Sequence, residues 1–329
     1  MPSSRNTHRR CRDIFLVNTP WQMTSESFYG ACPGENQAPV SILFLLQYLF
    51  QPRIAESLPS TMSTFTQTIR SLVVWLSTGI LILAWFPLMV VSRLFERDSV
   101  LYRTGYLFRR LGKALTSVNG AWKLHIEGEP VRDPRRPYVV VCNHQSLADI
   151  PLISNLPWEM KWMGKEELFS LPVIGWMMRL AGDIPVDRKS ARSGVLAFAS
   201  AKRYLERKCS VMMFPEGTRT LDGRVRRFND GAFHLAISAK VPVLPLVIEG
   251  SRNCIPKNSW KFGRPSDILL KILPAVDTSA LTLDDVAKLR DSVRSSIVGQ
   301  IAAWRSVPAS EVDGRSIETQ ESSLPTATS

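Results

Sequence analysis

Residues 71–91 read SLVVWLSTGILILAWFPLMVV, a run without a charge that stands between Arg70 and Arg93. As a helix it would be roughly 31 Å long, enough to cross a hydrocarbon core of about 30 Å. Trp75 and Trp85 lie toward its ends, where aromatic side chains sit at a membrane interface. A run so long and so apolar on every side points to a membrane segment rather than a core helix. Pro87 and the polar Ser77, Thr78 and Gly79 leave two geometries open, a full span or a bent helix that dips into one leaflet. Downstream, Arg93, Arg97, Arg103, Arg109, Arg110 and Lys113 face only Glu96 and Asp98, which assigns this flank to the cytoplasmic side. Residues 99–116 mix those cations with apolar positions. They read as an amphipathic basic helix, either on anionic lipid or packed on the body with a solvated basic face.

Charge supports an anionic neighbour. Lysine and arginine outnumber the acids 41 to 29 over 329 residues, a net +12 that suits nucleic acid, an anionic membrane or phosphorylated substrates. Hydrophobic residues at 45% and charged ones at 21% exclude wholesale disorder. The five cysteines, Cys11, Cys32, Cys142, Cys209 and Cys254, form no CxxC pair. The four histidines form no HExxH. A disulfide framework, a structural zinc site and a metal-dependent mechanism therefore lack support, and no metal is expected.

Residues 1–61 lack sustained periodicity, and the arginines at 9, 10 and 12 are not followed by the apolar region of a signal peptide. They are expected to be a poorly structured extension, with Met62 as the natural start. An intact Met1 terminus found by mass spectrometry in native membranes would overturn that. Residues 62–120 are expected to be the anchor and basic helix, 121–305 the catalytic domain, and 306–329 a disordered tail rich in Ser, Thr, Glu and Pro.

Within the body, β-like runs at 122–127, 138–142, 160–163, 183–186, 210–214, 243–248 and 268–273 alternate with helical patterns. These fall at 146–155, 165–180, 190–208, 231–239 and 284–304. Such alternation predicts a layered α/β domain with a largely parallel or mixed sheet, its sites gathered where strands end. Trp158, Lys161, Trp162 and Lys165 suit a membrane-facing rim. Leu168, Leu171, Ile174, Met177 and Met178 suit either an acyl channel or plain core.

Four motifs fall at strand ends. His144 and Asp149 offer a base and its orienting carboxylate, provided His144 sits on a loop and Asp149 in a first helical turn. Ser146 and Asp149 also fit a capping box. Residues 182–188 read GDIPVDR and end in Arg188. Residues 214–219 read FPEGTR, a turn with Arg219 as a bidentate fork for phosphate. Residues 241–246 read VPVLPL, whose prolines also suit an edge strand.

In this order the four motifs resemble those of the glycerolipid acyltransferase family, specifically 1-acylglycerol-3-phosphate acyltransferases. A six-residue match such as FPEGTR arises by chance in roughly one chain in 10⁵ of this length. The resemblance implies an α/β fold: a mixed sheet flanked by helices, preceded by a membrane-anchoring helical segment. It implies transfer of a fatty acyl group from acyl-CoA or acyl-carrier protein to 1-acylglycerol-3-phosphate, with no bound cofactor and with membrane lipids as partners. His144 becomes the base and Asp149 the group that holds it. Arg188, Glu216, Gly217, Thr218 and Arg219 bind the glycerol-phosphate head group, and Pro245 shapes the acyl-donor side. Pro185 stands where the family often has an aromatic residue, and Asn229 and Asp230 where lysine is common. The expected location is a membrane, the bacterial inner membrane, with the catalytic domain on its cytoplasmic face.

Acceptors other than 1-acylglycerol-3-phosphate, including glycerol-3-phosphate, fit the same chemistry. A non-catalytic binder of anionic lipid is the reading from a different class, and intact His144 and Asp149 speak against it. Nucleic acid is not expected as a partner, because no recognised module for it occurs.

Overall fold

The computed structural model describes residues 60–256 and 259–314, with side chains from 64 onward. The expectations for 1–59 and 315–329 fall outside the described residues. Seven strands form one sheet: β1 (Trp122–Glu127), β2 (Val139–Cys142), β3 (Met160–Lys165), β4 (Ile184–Val186), β5 (Ser210–Met213), β6 (Val243–Glu249) and β7 (Ser266–Ile272). Their spatial order is β1-β7-β6-β2-β5-β3-β4. The strands from β6 to β4 run parallel. β7 pairs antiparallel to β6 and carries β1 parallel to itself. The sheet is therefore mixed, as the alternating pattern predicts.

The strand β2 reads Val-Val-Val-Cys and is buried throughout, because helices cover both faces of a parallel sheet and leave no polar side. Val139 and Val141 enter one core cluster, Val140 and Cys142 the other. The first is closed by α6 (Ala191–Glu206), α7 (Gly231–Ala239) and α8 (Val286–Arg305), the second partly by α3 (Asp149–Ile153). Pro245 lies opposite Val141 inside the sheet, and its carbonyl accepts from Leu273 N. The proline-bracketed run is thus an interior strand and not an edge.

Two further helices precede the sheet, α1 (Ser60–Leu94) and α2 (Tyr102–Val118). Met89 of α1, Leu111 of α2, and Met177 and Ala181 of α5 (Ile174–Ala181) form a third, smaller cluster. Met177 is therefore core. The outer face of α1 is bare: Leu76, Ile80 and Leu83 are 67%, 60% and 62% exposed. Its inner face is docked along its length. Gln67 donates to Phe262 O at 2.8 Å, Trp85 Nε1 to Leu107 O at 3.0 Å, and Ser92 Oγ lies 3.1 Å from Thr104 Oγ1.

The structure corrects several expectations. Arg109 does not lie on a solvated basic face; it is buried and donates to both Asp183 oxygens at 2.7 and 2.6 Å. Beside it Lys161 is buried against Glu159 at 2.9 Å, and Trp158 and Trp162 are buried too. Of the four expected rim residues only Lys165 is exposed, so Trp158, Lys161 and Trp162 make no membrane rim. Gly105 of α2 permits this packing, since a Cβ there would meet Glu159 Oε1 at 2.1 Å. The expected helix over 165–180 is broken into α4 (Glu166–Phe169) and α5. Pro172 supplies no N–H, and Val173 turns to φ 62° as Ile174 N closes onto Pro172 O at 2.7 Å. The tail does not begin at 306. A short helix α9 (Ala309–Val312) buries Val312, and Arg294 holds Asp313 at 2.6 Å. Those contacts extend the folded body to Gly314.

Candidate active site

The loop after β2 is fastened at its root. Asn143 Nδ2 donates to Ile248 O at 2.8 Å, and Ile248 N donates to Asn143 Oδ1 at 2.9 Å, tying the ends of β2 and β6. His144 follows, outside any helix, and Asp149 opens α3. Separating them in this way brings His144 Nδ1 to 2.8 Å from Asp149 Oδ2, a contact that one continuous helix would forbid. The same Oδ2 accepts from Gln145 N at 2.7 Å and Ser146 N at 2.9 Å, while Asp149 Oδ1 is buried without a partner. Ser146 Oγ accepts from Ala148 N at 3.3 Å, so only half of the expected capping box forms. An ionised carboxylate can only accept. The network thus assigns a proton to Nδ1, so that in the neutral ring Nε2 is the bare nitrogen.

The ring is 14% exposed and lies flat on Phe214, with centroids 3.9 Å apart. Phe214 opens the FPEGTR turn, which closes through Gly217 N to Phe214 O at 3.1 Å. Gly217 has φ 72°, a left-handed conformation that glycine adopts without a Cβ penalty. A Cβ there would also sit 3.1 Å from Asn229 Nδ2 and 3.9 Å from Arg188 Nη1, which places the Arg188 guanidinium beside the turn. Asn229 donates through N and Nδ2 to Pro215 O at 2.9 and 2.8 Å, bracing the turn from below.

Glu216 braces the site from inside. It is buried, its Oε1 accepts from His144 N at 2.6 Å, and its Oε2 accepts from Arg226 N at 2.9 Å. Each oxygen accepts from a backbone amide, so this side chain joins the His144 loop to the FPEGTR turn. Burial pushes its carboxyl up to about 8, against the pull of those two amides. Thr220 N donates to His144 O at 2.9 Å and strengthens the same joint.

The remaining motif residues occupy the rim. Arg188 and Thr218 are exposed and Arg219 is half-buried. Pro245 is buried in β6, where it can bear on a ligand only through the sheet. Cys142 is fully buried, and its thiol is pushed well above the usual range by burial and by the charges of Asp149 and Glu216. That environment disfavours the thiolate a nucleophile needs.

Sequence reasoning overlooked a second layer. Gln145 Nε2 donates to Glu249 Oε2 at 2.9 Å, and Arg305 of α8 holds Glu249 at 2.8 Å. These partners lie 104 and 56 residues apart, and no local pattern marks them.

Residues 123–249 match the family model described as Acyltransferase. The chain is 36% identical over 178 residues to 1-acyl-sn-glycerol-3-phosphate acyltransferase alpha from Mus musculus, covering 54% of this chain and 62% of that protein. It is 37% identical over 147 residues to the chloroplastic 1-acyl-sn-glycerol-3-phosphate acyltransferase LPAT1 from Arabidopsis thaliana, covering 44% and 41%. The aligned region thus spans less than two thirds of these curated relatives. The crystal structure of the 1-acyl-sn-glycerophosphate (LPA) acyltransferase PlsC from Thermotoga maritima superposes with a TM-score of 0.62 at 26% identity. That match covers 74% of this chain and 97% of the other. Residues 123–249, which hold all four motifs and the His144–Asp149 pair, are thus the part of the chain that is similar to the Acyltransferase family model.

Proposed function

We propose that this protein moves a fatty acyl group from the thioester of acyl-CoA or acyl-carrier protein to the sn-2 hydroxyl of 1-acylglycerol-3-phosphate, giving phosphatidic acid. The 2.8 Å contact between His144 Nδ1 and Asp149 Oδ2 carries this reading, because it leaves Nε2 as a base in a partly open ring. Nε2 takes the hydroxyl proton as the oxygen bonds to the thioester carbonyl carbon. The C–S bond then breaks, and the leaving sulfur takes the proton back from the imidazolium. Asp149 stabilises that imidazolium. A thioester is already activated, so no covalent enzyme intermediate is needed. Arg188 and Arg219 at the rim suit the acceptor phosphate as charge-assisted donors.

The bare face of α1 supports a membrane setting: an 18-residue stretch within Thr64–Leu94 has a mean hydropathy of 2.1, and 11% of it is buried. Docking from Gln67 to Ser92 favours a helix that lies in one leaflet beside the body over one that crosses the bilayer, since crossing would strip those contacts. In this reading the body stays on the cytoplasmic face.

The test is acyl transfer by purified protein from labelled acyl-CoA, and separately from acyl-carrier protein, to 1-acylglycerol-3-phosphate, beside His144→Ala. Phosphatidic acid formed by wild type and lost in a folded variant supports the reading. Equal product from both removes His144 as the base.

A further inference from the structure

A cavity of about 640 Å³ lies at the elbow between α1 and α2, away from the motif loops. Arg135 lines it and precedes β2, whereas His144 follows β2, so cavity and imidazole lie toward opposite ends of that strand. Three arginines, Arg97, Arg103 and Arg135, contribute to its wall, together with Glu96 and Asp98. The two acids are already engaged. Glu96 accepts from Asp98 N at 3.2 Å and from Thr104 N at 2.9 Å. Asp98 accepts from Val100 N at 3.0 Å and from Arg135 Nη2. Arg135 also stacks over Tyr102 at 4.3 Å, yet its Nη1 is buried with no partner. Arg97 and Arg103 are exposed and form no ion pair among the described residues. The wall therefore has unspent donors of one sign and an orphaned buried N–H, a combination that calls for an anion. Leu94 and Phe95 share the cavity and are 76% and 73% exposed, continuing the apolar face of α1.

We propose that this elbow cavity binds the phosphate of an anionic phospholipid, separately from the acyl-transfer site, with the acyl chains lying against Leu94 and Phe95. The inference rests on α1 as a membrane-inserted helix, and it is independent of the reaction assigned to His144. A lipid phosphate held there would fix the depth of the elbow.

The full-length protein should be sedimented with phosphatidylcholine vesicles and with the same vesicles containing phosphatidic acid. Wild type is expected to prefer the anionic vesicles by about tenfold or more. R97Q/R103Q should lose most of that preference and keep its binding to neutral vesicles, which also reports an intact α1. The comparison is R110Q/K113Q, which removes the same charge from exposed positions of α2 and should keep most of the preference. Equal losses from the two pairs would mean a diffuse surface field and overturn the site. If inorganic phosphate matched to the lipid phosphate abolishes the wild-type preference, the occupant is free phosphate and the lipid assignment fails. Failure to bind either vesicle would overturn both the inserted helix and the cavity's lipid. Loss of acyl transfer with the preference intact would sink only the reaction.

Discussion

The imidazole of His144 rests on the ring of Phe214, with centroids 3.9 Å apart and planes 14° apart. Phe214 in turn lies 5.8 Å from Trp162, and the Arg109 guanidinium lies 5.6 Å from the Trp162 ring. A row of ring contacts thus leads from α2 to the proposed base. In the proposed mechanism an aromatic face stabilises the imidazolium and fixes the plane of the ring. Phe214 is a positioning residue. Phe214→Leu should lower kcat about tenfold and move the pH profile of kcat, with KM for the acceptor little changed. An unchanged pH profile beside a lowered kcat would reduce Phe214 to ordinary packing.

The carboxylate of Asp149 accepts from three donors at one oxygen, among them the ring that it orients. Asp149→Asn preserves shape but brings an N–H₂ and removes the charge that favours the imidazolium. The expected loss in kcat is on the order of a hundredfold or more, similar to the loss from His144→Ala. The double variant should be little worse than either single one, because the two residues act as a unit. Additive losses, measured with folding verified by circular dichroism, would separate them.

Glu216 gives a pH dependence with a definite sign. Its carboxyl is raised from 4.5 to about 8, so between those values the folded state keeps a proton that the unfolded chain releases. Stability from this group is fully present below about 4.5 and declines as pH rises to about 8. Wild-type Tm should fall across that window, and Glu216→Gln should flatten the slope. The same variant presents an N–H₂ to one of two backbone N–H groups, costing about 1–3 kcal/mol. A wild-type Tm that rises across the window would show Glu216 ionised throughout.

Much of the sheet was legible because its strands are short apolar runs bounded by turn residues, and β2 shows why. Its four apolar residues in a row, rich in β-branched valine and bounded by turn residues, suit a strand covered on both sides. The His144–Asp149 contact was legible as a condition, one residue on a loop and the other in the first turn, and the structure meets it. What lay hidden depends on partners distant in sequence. Arg109 looks like one more membrane-surface cation until Asp183, 74 residues on, folds against it. The two backbone amides that Glu216 braces, His144 N and Arg226 N, were equally hidden, the first lying 72 residues away. The break before α5 falls at Pro172, which the reading of 165–180 as one helix passed over, and nothing signalled the positive φ at Val173, since a β-branched residue rarely adopts it. Ser, Thr and Pro near 306 suggested disorder, and Val312 with Asp313 outweighed that composition through burial and an ion pair.

Asp183, beside Gly182 in the second motif, holds Arg109 through both oxygens and accepts from Trp162 N at 3.0 Å. Asp183→Ala would leave Arg109 buried near Glu159 with its main partner gone. Breaking one side of a buried pair costs about 3–5 kcal/mol. The midpoint of urea unfolding should drop accordingly. Asp183→Ala combined with Arg109→Met should recover a large part of the loss, because the uncompensated charge is then absent. No recovery in the double variant would place the cost in packing.

Cys142 lies two residues before His144, at the end of β2, and invites a reading as nucleophile. Its side chain has no exposure, and burial beside Asp149 and Glu216 holds the thiol protonated. The proposed mechanism needs only the thioester, the acceptor hydroxyl and Nε2. Cys142→Ala should therefore keep most of the transfer rate, and native protein should resist iodoacetamide at this position until it unfolds. Cys209 is equally buried, with its thiol pushed up to about 12, and provides an internal standard for that resistance. Complete loss of activity in a folded Cys142→Ala variant, together with an acyl group trapped on the wild-type thiol, would replace direct transfer with an acyl-enzyme.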